Sequence, residues 1–446
     1  MKTLRDPVHG DIQLSDLEIE VMDTPEFQRL RGIRQLGTSY LVFPGAQHTR
    51  FEHSVGTCWL LKQLVKEINQ RAGTLSKPPI DAEMRDFLSL AALLHDITHI
   101  PFGHTLEDER RILPAHDKNK ARLNYFLETP GLGRVLAESG YRDQLVTFFS
   151  EGKQWRPEYG FDLVAGPICA DLLDYMKRDA FFCGLKLDYD SRLFRYLSIE
   201  GDRLCFNLYS GRGFRQDAWT ELINLLRMRF HLTERVYFHH AKVAAGAMIS
   251  RLLEELLLHD AFELQELYEL QDDSFMYLLG KRVSKVRPFK PLWDAIRARR
   301  LYQRVYMVGR DPLVPDFPPQ EFMDRVQDQF HLNKHSARSE LEKHIAKALR
   351  VPQCAVILYA PDTAMNLKEA SVTVRVDSGP LVQLSEFHHP ELDALRNGHR
   401  AIWRFYLFLD RAYEHKALKA AQLLEDELGL PNQLELMHRG QLTFRF

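Results

Sequence analysis

The chain has 446 residues, enough to bury a sizeable core and to form two or three domains, or one large domain with an appendage, without a disulfide or metal staple for its size. Lys and Arg number 59 against 61 Asp and Glu, and the formal charge of −2 excludes a global attraction to nucleic acid or anionic membranes. Any anion site must therefore be local. The N-terminus, MKTLRDPVHG, has charges and a proline where a signal peptide needs an apolar run. No stretch of about 18 uncharged apolar residues follows, so the expectation is a soluble cytoplasmic protein with no membrane partner. Cys58, Cys169, Cys183, Cys205 and Cys354 are widely spread and form no C-x-x-C pair, which predicts small buried apolar residues rather than disulfides or a thiolate zinc site.

From Asp16 to about Arg310, apolar residues recur at spacings of three and four, as in Phe87–Leu94 and Trp219–Leu232, and predict a helical core. The Pro-rich stretch from Asp311 to Pro319 ends it. Beyond lie a helical stretch and the β-branched runs Cys354–Leu358 and Val372–Val376, which predict a smaller mixed α/β lobe. The expectation is thus a mainly α fold, with a core over 1–310 and a C-terminal lobe over 311–446. The last helical segment, Tyr413–Leu428, has charges on one side as a solvated helix should.

The run Phe87–Leu94 is apolar enough to be buried, yet it ends in the adjacent pair His95-Asp96. Burying an imidazole and a carboxylate is costly without partners, and a divalent cation is an efficient one. His53 precedes the pair, and Asp171 follows at the head of a segment reaching Asp179. A His, a His-Asp pair and a distant Asp are the ligand order of the HD superfamily. Two imidazoles and two carboxylates suit octahedral Fe, Mn, Mg or Ni better than a closed Zn site. By itself the His-Asp adjacency carries little among 19 histidines. His99 would share the face of His95 if the helix continued, and Pro101 and Gly103 turn the chain so that His104 and Glu107 return nearby. With His116, these histidines are too many for a satisfied core. Asp171, Tyr175 and Asp179 fall at i, i+4 and i+8, so one helix face presents a ligand, a phenol and a carboxylate to one pocket. Asp174, Lys177 and Arg178 read as the solvated opposite face. Arg29, Arg31 and Arg34 read as surface or interface charges. The basic stretch Lys281–Arg300, with Phe289 and Trp293 interleaved, reads first as a solvated helix or subunit contact and only second as a nucleic-acid surface.

With those residues in hand the chain resembles the SAM and HD domain-containing dNTP triphosphohydrolase family, as a bacterial relative without the SAM domain. The resemblance rests on Asp6-Pro7-Val8-His9-Gly10, Thr24–Arg31, Gln35-Leu36-Gly37, Val42–Ser54, His95–His104 and Asp171–Asp179, and is strong over about 1–310. It implies hydrolysis of a dNTP to deoxynucleoside and inorganic triphosphate. His53, His95, Asp96 and Asp171 would hold a divalent ion (Fe, Mn, Mg, Ni or Zn), and Arg50 would grip the phosphates. His99, Glu107 and His116 would form the catalytic relay. Gln35 and Asp179 would bind the sugar 3′-hydroxyl, Tyr237 would pack where a 2′-hydroxyl would sit, and Leu36, His104, Tyr175 and Arg229 would complete the substrate contacts. Lys2, Asp23, Gln28 and Arg31 resemble an activating-nucleotide site, and the family implies a homodimer or homotetramer. These roles are physically coherent: cations offset a triphosphate, and an imidazole near neutrality can protonate a leaving oxygen. The sequence departs from the family where Leu172 replaces a phosphate-binding lysine, where Glu107 stands for aspartate, and over Asp188–Arg203, which fits a second allosteric region poorly. The alternatives are an HD phosphohydrolase for a monophosphate or signalling nucleotide, and a regulator that senses nucleotides or binds nucleic acid without turnover.

Overall fold

The computed structural model describes residues 2–72, 79–108, 110–115, 119–310, 317–330, 335–363, 365 and 367–434. The chain opens with an antiparallel hairpin of β1 (Lys2–Asp6) and β2 (Gly10–Leu14). Three long helices follow around the site: α1 (Arg50–Arg71), α2 (Ala82–Leu94) and α3 (Ala170–Phe182). Each starts where a side chain serves the helix end. Glu52 accepts the backbone N–H of Thr49 (2.6 Å), Asp81 that of Met84 (2.9 Å), and the Cys169 sulfur that of Leu172 (3.4 Å). α1 lies between α2 and α3, and its apolar side is buried from Phe51 to Ile68.

The rest of the helical layer includes α4 (Gln216–Leu232) and α5 (His240–Leu258), joined through a π-helical turn over Thr233–Tyr237. The fold is mainly α with a smaller mixed lobe, as expected. Its two larger sheets are small. β3 (Leu197–Glu200) and β4 (Arg203–Asn207) pair in a hairpin, and β4 continues in parallel to β7 (Thr373–Arg375), which pairs with β8 (Val382–Gln383). In the second sheet, β9 (Arg404–Leu409) lies antiparallel between β5 (Gln303–Gly309) and β6 (Val356–Tyr359).

Both faces of that second sheet are covered. Ile357, Tyr359, Tyr406 and Phe408 pack into the cluster built on α5, and Leu358, Phe405, Leu407 and Leu409 into the cluster built on α6 (His335–Leu349). Two-sided burial makes such strands read as unbroken apolar runs rather than alternating ones. The expected division at residue 310 cuts across both sheets. β5 precedes it but belongs to the C-terminal sheet, while β7 and β8 follow it and complete the sheet of the N-terminal core. Residues 311–316 of the Pro-rich break lie outside the described residues. Cys58, Cys169, Cys205 and Cys354 are buried, as expected, and Cys183 is partly so. No helix among the described residues is long and apolar enough to cross a membrane.

Candidate active site

α2 stops at Leu94, so His99 does not share a helix face with His95. The chain instead tightens into turns in which Leu94 and Asp96 carbonyls accept from Ile97 and His99 N–H (3.0 and 3.1 Å). This turn folds His95, Asp96 and His99 onto α1 and α3. His53 Nε2 lies 3.1 Å from both His95 Nε2 and Asp171 Oδ1, and His95 Nε2 lies 3.6 Å from Asp171 Oδ1. Asp96 joins them, with Oδ2 at 3.6 Å from His53 Nε2 and Oδ1 at 3.4 Å from His95 Nε2.

Tautomers give this cluster its meaning. His95 Nδ1 lies 2.7 Å from the Ala92 carbonyl, which can only accept, so Nδ1 carries the proton. His53 Nδ1 is 2.8 Å from the Asp174 carboxylate and is protonated for the same reason. With those protons on Nδ1, the two Nε2 atoms meet at 3.1 Å, a contact that a shared cation, whether a proton or a metal ion, satisfies. The surrounding carboxylates supply the matching field. Burial works against a charged His53, but its hydrogen bonds to Asp171 and Asp174 outweigh burial and lift its pKa to about 10. Burial likewise opposes ionisation of Asp96 and Asp171. Arg50, His95 and His99 nevertheless hold Asp96 well below the usual carboxylate range, and His53 and His95 do so for Asp171. A point that attracts a proton this strongly also attracts a metal ion, and the donor set fits a divalent one.

The cluster forms the floor of a cavity of about 1060 Å³. Of the residues expected in the site, Gln35, Leu36, Arg50, His104, Tyr175, Asp179, Arg229 and Tyr237 line it together with His53, His95, Asp96 and Asp171. Tyr175 and Asp179 follow Asp171 on one face of α3, as their spacing predicted. Tyr237 Oη donates to Asp179 Oδ2 (2.6 Å), whose other oxygen contacts His48 Nε2 (2.8 Å). The π-helical turn sets Arg229 against both tyrosines, 5.2 Å from the Tyr175 ring and 5.1 Å from the Tyr237 ring. Arg50 is buried, with Nη1 on Asp96 (2.5 Å) and with Nε and Nη2 lacking hydrogen-bond partners among the described residues. Gly103, at a φ of +49°, makes room for that guanidinium, since a β-carbon there would collide with Nη2.

Of the residues expected to form a relay, His99 and Glu107 do not line the cavity. His99 is fully buried, 3.2 Å from Asp96 Oδ1, with its ring against His104 (5.0 Å). Glu107 is buried against Arg122 (2.9 Å) and lies 3.8 Å from His104 Nδ1. His104 is 52% exposed in its side chain. His116 lies outside the described residues. Of the expected activator residues, Gln28 accepts from Arg31 Nε (2.8 Å) and donates to Met22 O (2.7 Å), the Arg31 guanidinium stacks on Phe51, and Lys2 and Asp23 are exposed.

Three expectations are corrected. Asp174 and Arg178 are not solvated: both are fully buried and paired at 2.8 Å, and Asp174 orients His53. Arg29 is not a surface charge, because it is buried and donates to the Ile97 carbonyl (2.8 Å), pinning the turn after the His-Asp pair. Phe289 and Trp293 are core residues, so they give the basic stretch no stacking platform. Residues that sequence reasoning did not assign also line the cavity: Lys120, Lys153, Lys242, Lys368 and His399. They lie outside the motifs and carry no local signal. Leu172 is buried in the wall, where the family pattern has a lysine.

The fold and the site define a helical protein with a His/His/Asp cluster that could hold a metal ion, set in the wall of a cavity of about 1060 Å³. The HD domain matches residues 50–128 and the HD associated region residues 223–437, and the chain belongs to the HD-domain family. It is 33% identical over 234 residues to the Xenopus laevis deoxynucleoside triphosphate triphosphohydrolase SAMHD1, which covers 44% of this chain and 36% of that protein. The Gallus gallus protein of the same name is 34% identical over 357 residues, covering 68% of this chain and 56% of that protein. The chain thus spans between about a third and three-fifths of the length of the curated relatives it matches. A hypothetical protein of Aquifex aeolicus shares the fold, with a TM-score of 0.67, 22% identity, and coverage of 94% of this chain and 99% of that one.

Proposed function

We propose that this protein is a metal-dependent phosphohydrolase that cleaves deoxynucleoside triphosphates to deoxynucleoside and inorganic triphosphate. The observation that carries this reading is one cavity holding the His53, His95 and Asp171 donor set together with the bonded pair Tyr237–Asp179. The names of the vertebrate relatives support it. A divalent ion held by His53, His95, Asp96 and Asp171 supplies, when bound, Lewis acidity at the α-phosphoryl group and a lowered pKa for the attacking water.

The chain's own residues do the rest. Arg50 turns its Nε and Nη2, which have no hydrogen-bond partner among the described residues, to phosphate oxygens, and Arg229, packed against the Tyr175 and Tyr237 rings, faces the same chain of phosphates. Lys120, Lys153, Lys242 and Lys368 supply positive charge that Leu172 does not. Gln35 and Asp179 bind the sugar 3′-hydroxyl, and the Tyr237 ring excludes a 2′-hydroxyl by sterics and desolvation. His99 and Glu107 hold the relay in which His116 protonates the departing 5′-oxygen. The same reading carries an activating nucleotide at Lys2, Asp23, Gln28 and Arg31 and a homo-oligomer. A second reading, hydrolysis of a nucleoside monophosphate or signalling nucleotide, is favoured by Leu172 in the wall.

The test is incubation with Mn, Mg or Fe and each dNTP, singly and mixed, with products followed by chromatography. Triphosphate from dNTPs and not rNTPs is the expected result, and turnover only in the mixture would locate an activator site. Cleavage of monophosphates or dinucleotides alone would discard the substrate while keeping the chemistry.

A further inference from the structure

The turn of the N-terminal hairpin is closed by Asp6, whose Oδ1 accepts the backbone N–H groups of Val8 (2.9 Å) and His9 (2.8 Å). That turn presents His9. Its ring stacks on Trp59 of α1 at 4.7 Å, and its Nε2 lies 2.6 Å from Asp174 Oδ1. Asp174 is fully buried on α3, and its Oδ2 receives the Nδ1 proton of the metal-ligand candidate His53 (2.8 Å). Arg178 grips both Asp174 oxygens, with Nε on Oδ2 (2.8 Å) and Nη2 on Oδ1 (2.9 Å), and its Nη1 returns to Asp6 Oδ2 (2.8 Å). A β-carbon at Gly56 of α1 would collide with Asp174 and Arg178, so the glycine makes the space in which the network sits.

We propose that the N-terminal hairpin is a positioning element of the metal centre, with His9 and Arg178 acting through Asp174 to fix the tautomer and ring orientation of His53. The inference rests on the metal reading above and assigns a role to residues that touch neither metal nor substrate. An imidazole ligates through a bare nitrogen, so its proton must be kept on the other one. A carboxylate does this only while its plane is held. Four donors on two oxygens leave Asp174 no freedom to rotate. Two of the four depend on Arg178, and one comes from a hairpin far away in the chain. A purely structural staple between hairpin and helices would affect melting without affecting metal affinity.

The experiment uses the full chain, with Mn(II) binding followed by electron paramagnetic resonance and folding by thermal circular dichroism. His9→Phe keeps a ring on Trp59 but removes the donor, and His9→Gln keeps a donor. His9→Phe is expected to weaken Mn binding about tenfold at near-native melting, and His9→Gln to recover most of it. Asp174→Asn is expected to lose about 10- to 100-fold, and His53→Ala to abolish binding. Should His9→Phe not fold, Arg178→Lys, which keeps the charge but loses the two-pronged grip, takes its place with the same expectation. Native Mn affinity in a folded His9→Phe, or in the Arg178→Lys that replaces it, with His53→Ala inactive in binding, overturns the proposed positioning role and leaves the metal reading standing. Equal binding by native protein and His53→Ala, or no saturable binding at all, overturns both.

Discussion

At the scale of single residues, the site is built from side chains whose states are set by their neighbours. Tyr237 is held by its hydroxyl on Asp179, which fixes its ring in the cavity wall, and the proposed role sets that ring against the sugar. Tyr237→Ala should relax the preference for dNTP over rNTP by about 10- to 100-fold, read as the ratio of kcat/KM for dATP and ATP. An unchanged ratio would move sugar discrimination elsewhere. His399 offers a different measurement. Burial, aided by nearby Arg229, lowers its pKa from 6.5 to about 4. Between those values the unfolded chain binds a proton that the folded chain refuses, so stability is fully present above pH 6.5 and falls as pH drops toward 4. Denaturant unfolding at pH 7 and pH 4.5 should show a smaller loss for His399→Gln than for the native chain, by up to about 3 kcal/mol. Equal losses would mean the imidazole is protonated in the fold.

At the scale of elements, the segment after the His-Asp pair is a loop fixed by buried charges. Arg29 and Arg122 bind its Ile97 and Thr98 carbonyls (2.8 and 3.4 Å), and Asp272 accepts the Phe102 N–H (2.7 Å), where the backbone takes a left-handed φ of +58°. Further along, Arg110 is buried between Glu254 of α5 (2.6 Å) and Glu342 of α6 (2.7 Å), and Arg251 and Arg338 join the same carboxylates (3.1 and 2.7 Å). This cluster ties the chain just beyond the short helix His104–Asp108, which carries His104 and Glu107, to the C-terminal lobe. Arg110→Met leaves two buried carboxylates short of a partner and should cost about 3 to 5 kcal/mol in denaturant unfolding. Arg110→Lys should recover only part, because an ammonium cannot bridge both carboxylates as a guanidinium does. A near-neutral Arg110→Met would show that the remaining arginines suffice.

At the scale of the whole molecule, the two parts of the chain are interlaced rather than joined end to end. β7 completes the sheet begun by β4, with Phe206 opposite Val374, and β5 is held by β9. A fragment ending at residue 310 keeps every proposed metal ligand but leaves β4 and β5 with open edges and strips the apolar face of α5. That fragment should be insoluble or lack cooperative melting. A soluble, cooperatively folded 1–310 fragment would make the expected division at 310 a true domain boundary.

The His/His/Asp cluster and the helical core were legible because each depends on local pattern. Apolar spacing of three and four marks a buried helix, and a His-Asp pair at the end of such a run marks polar groups that need a partner. Tyr175 and Asp179 were legible for the same reason, since α3 carries them on the face of Asp171. Asp174 and Arg178 stand on that helix too, and i, i+4 charges read alike whether the opposite face meets water or protein. Only the packing of α1, with its gap at Gly56, and of a hairpin about 170 residues earlier makes that face an interior. The cavity lysines, the buried Arg110 cluster and the pairing of β4 with β7 were hidden likewise. Each joins residues far apart in the chain, and sequence periodicity reports which side of an element is apolar, not which distant element covers it.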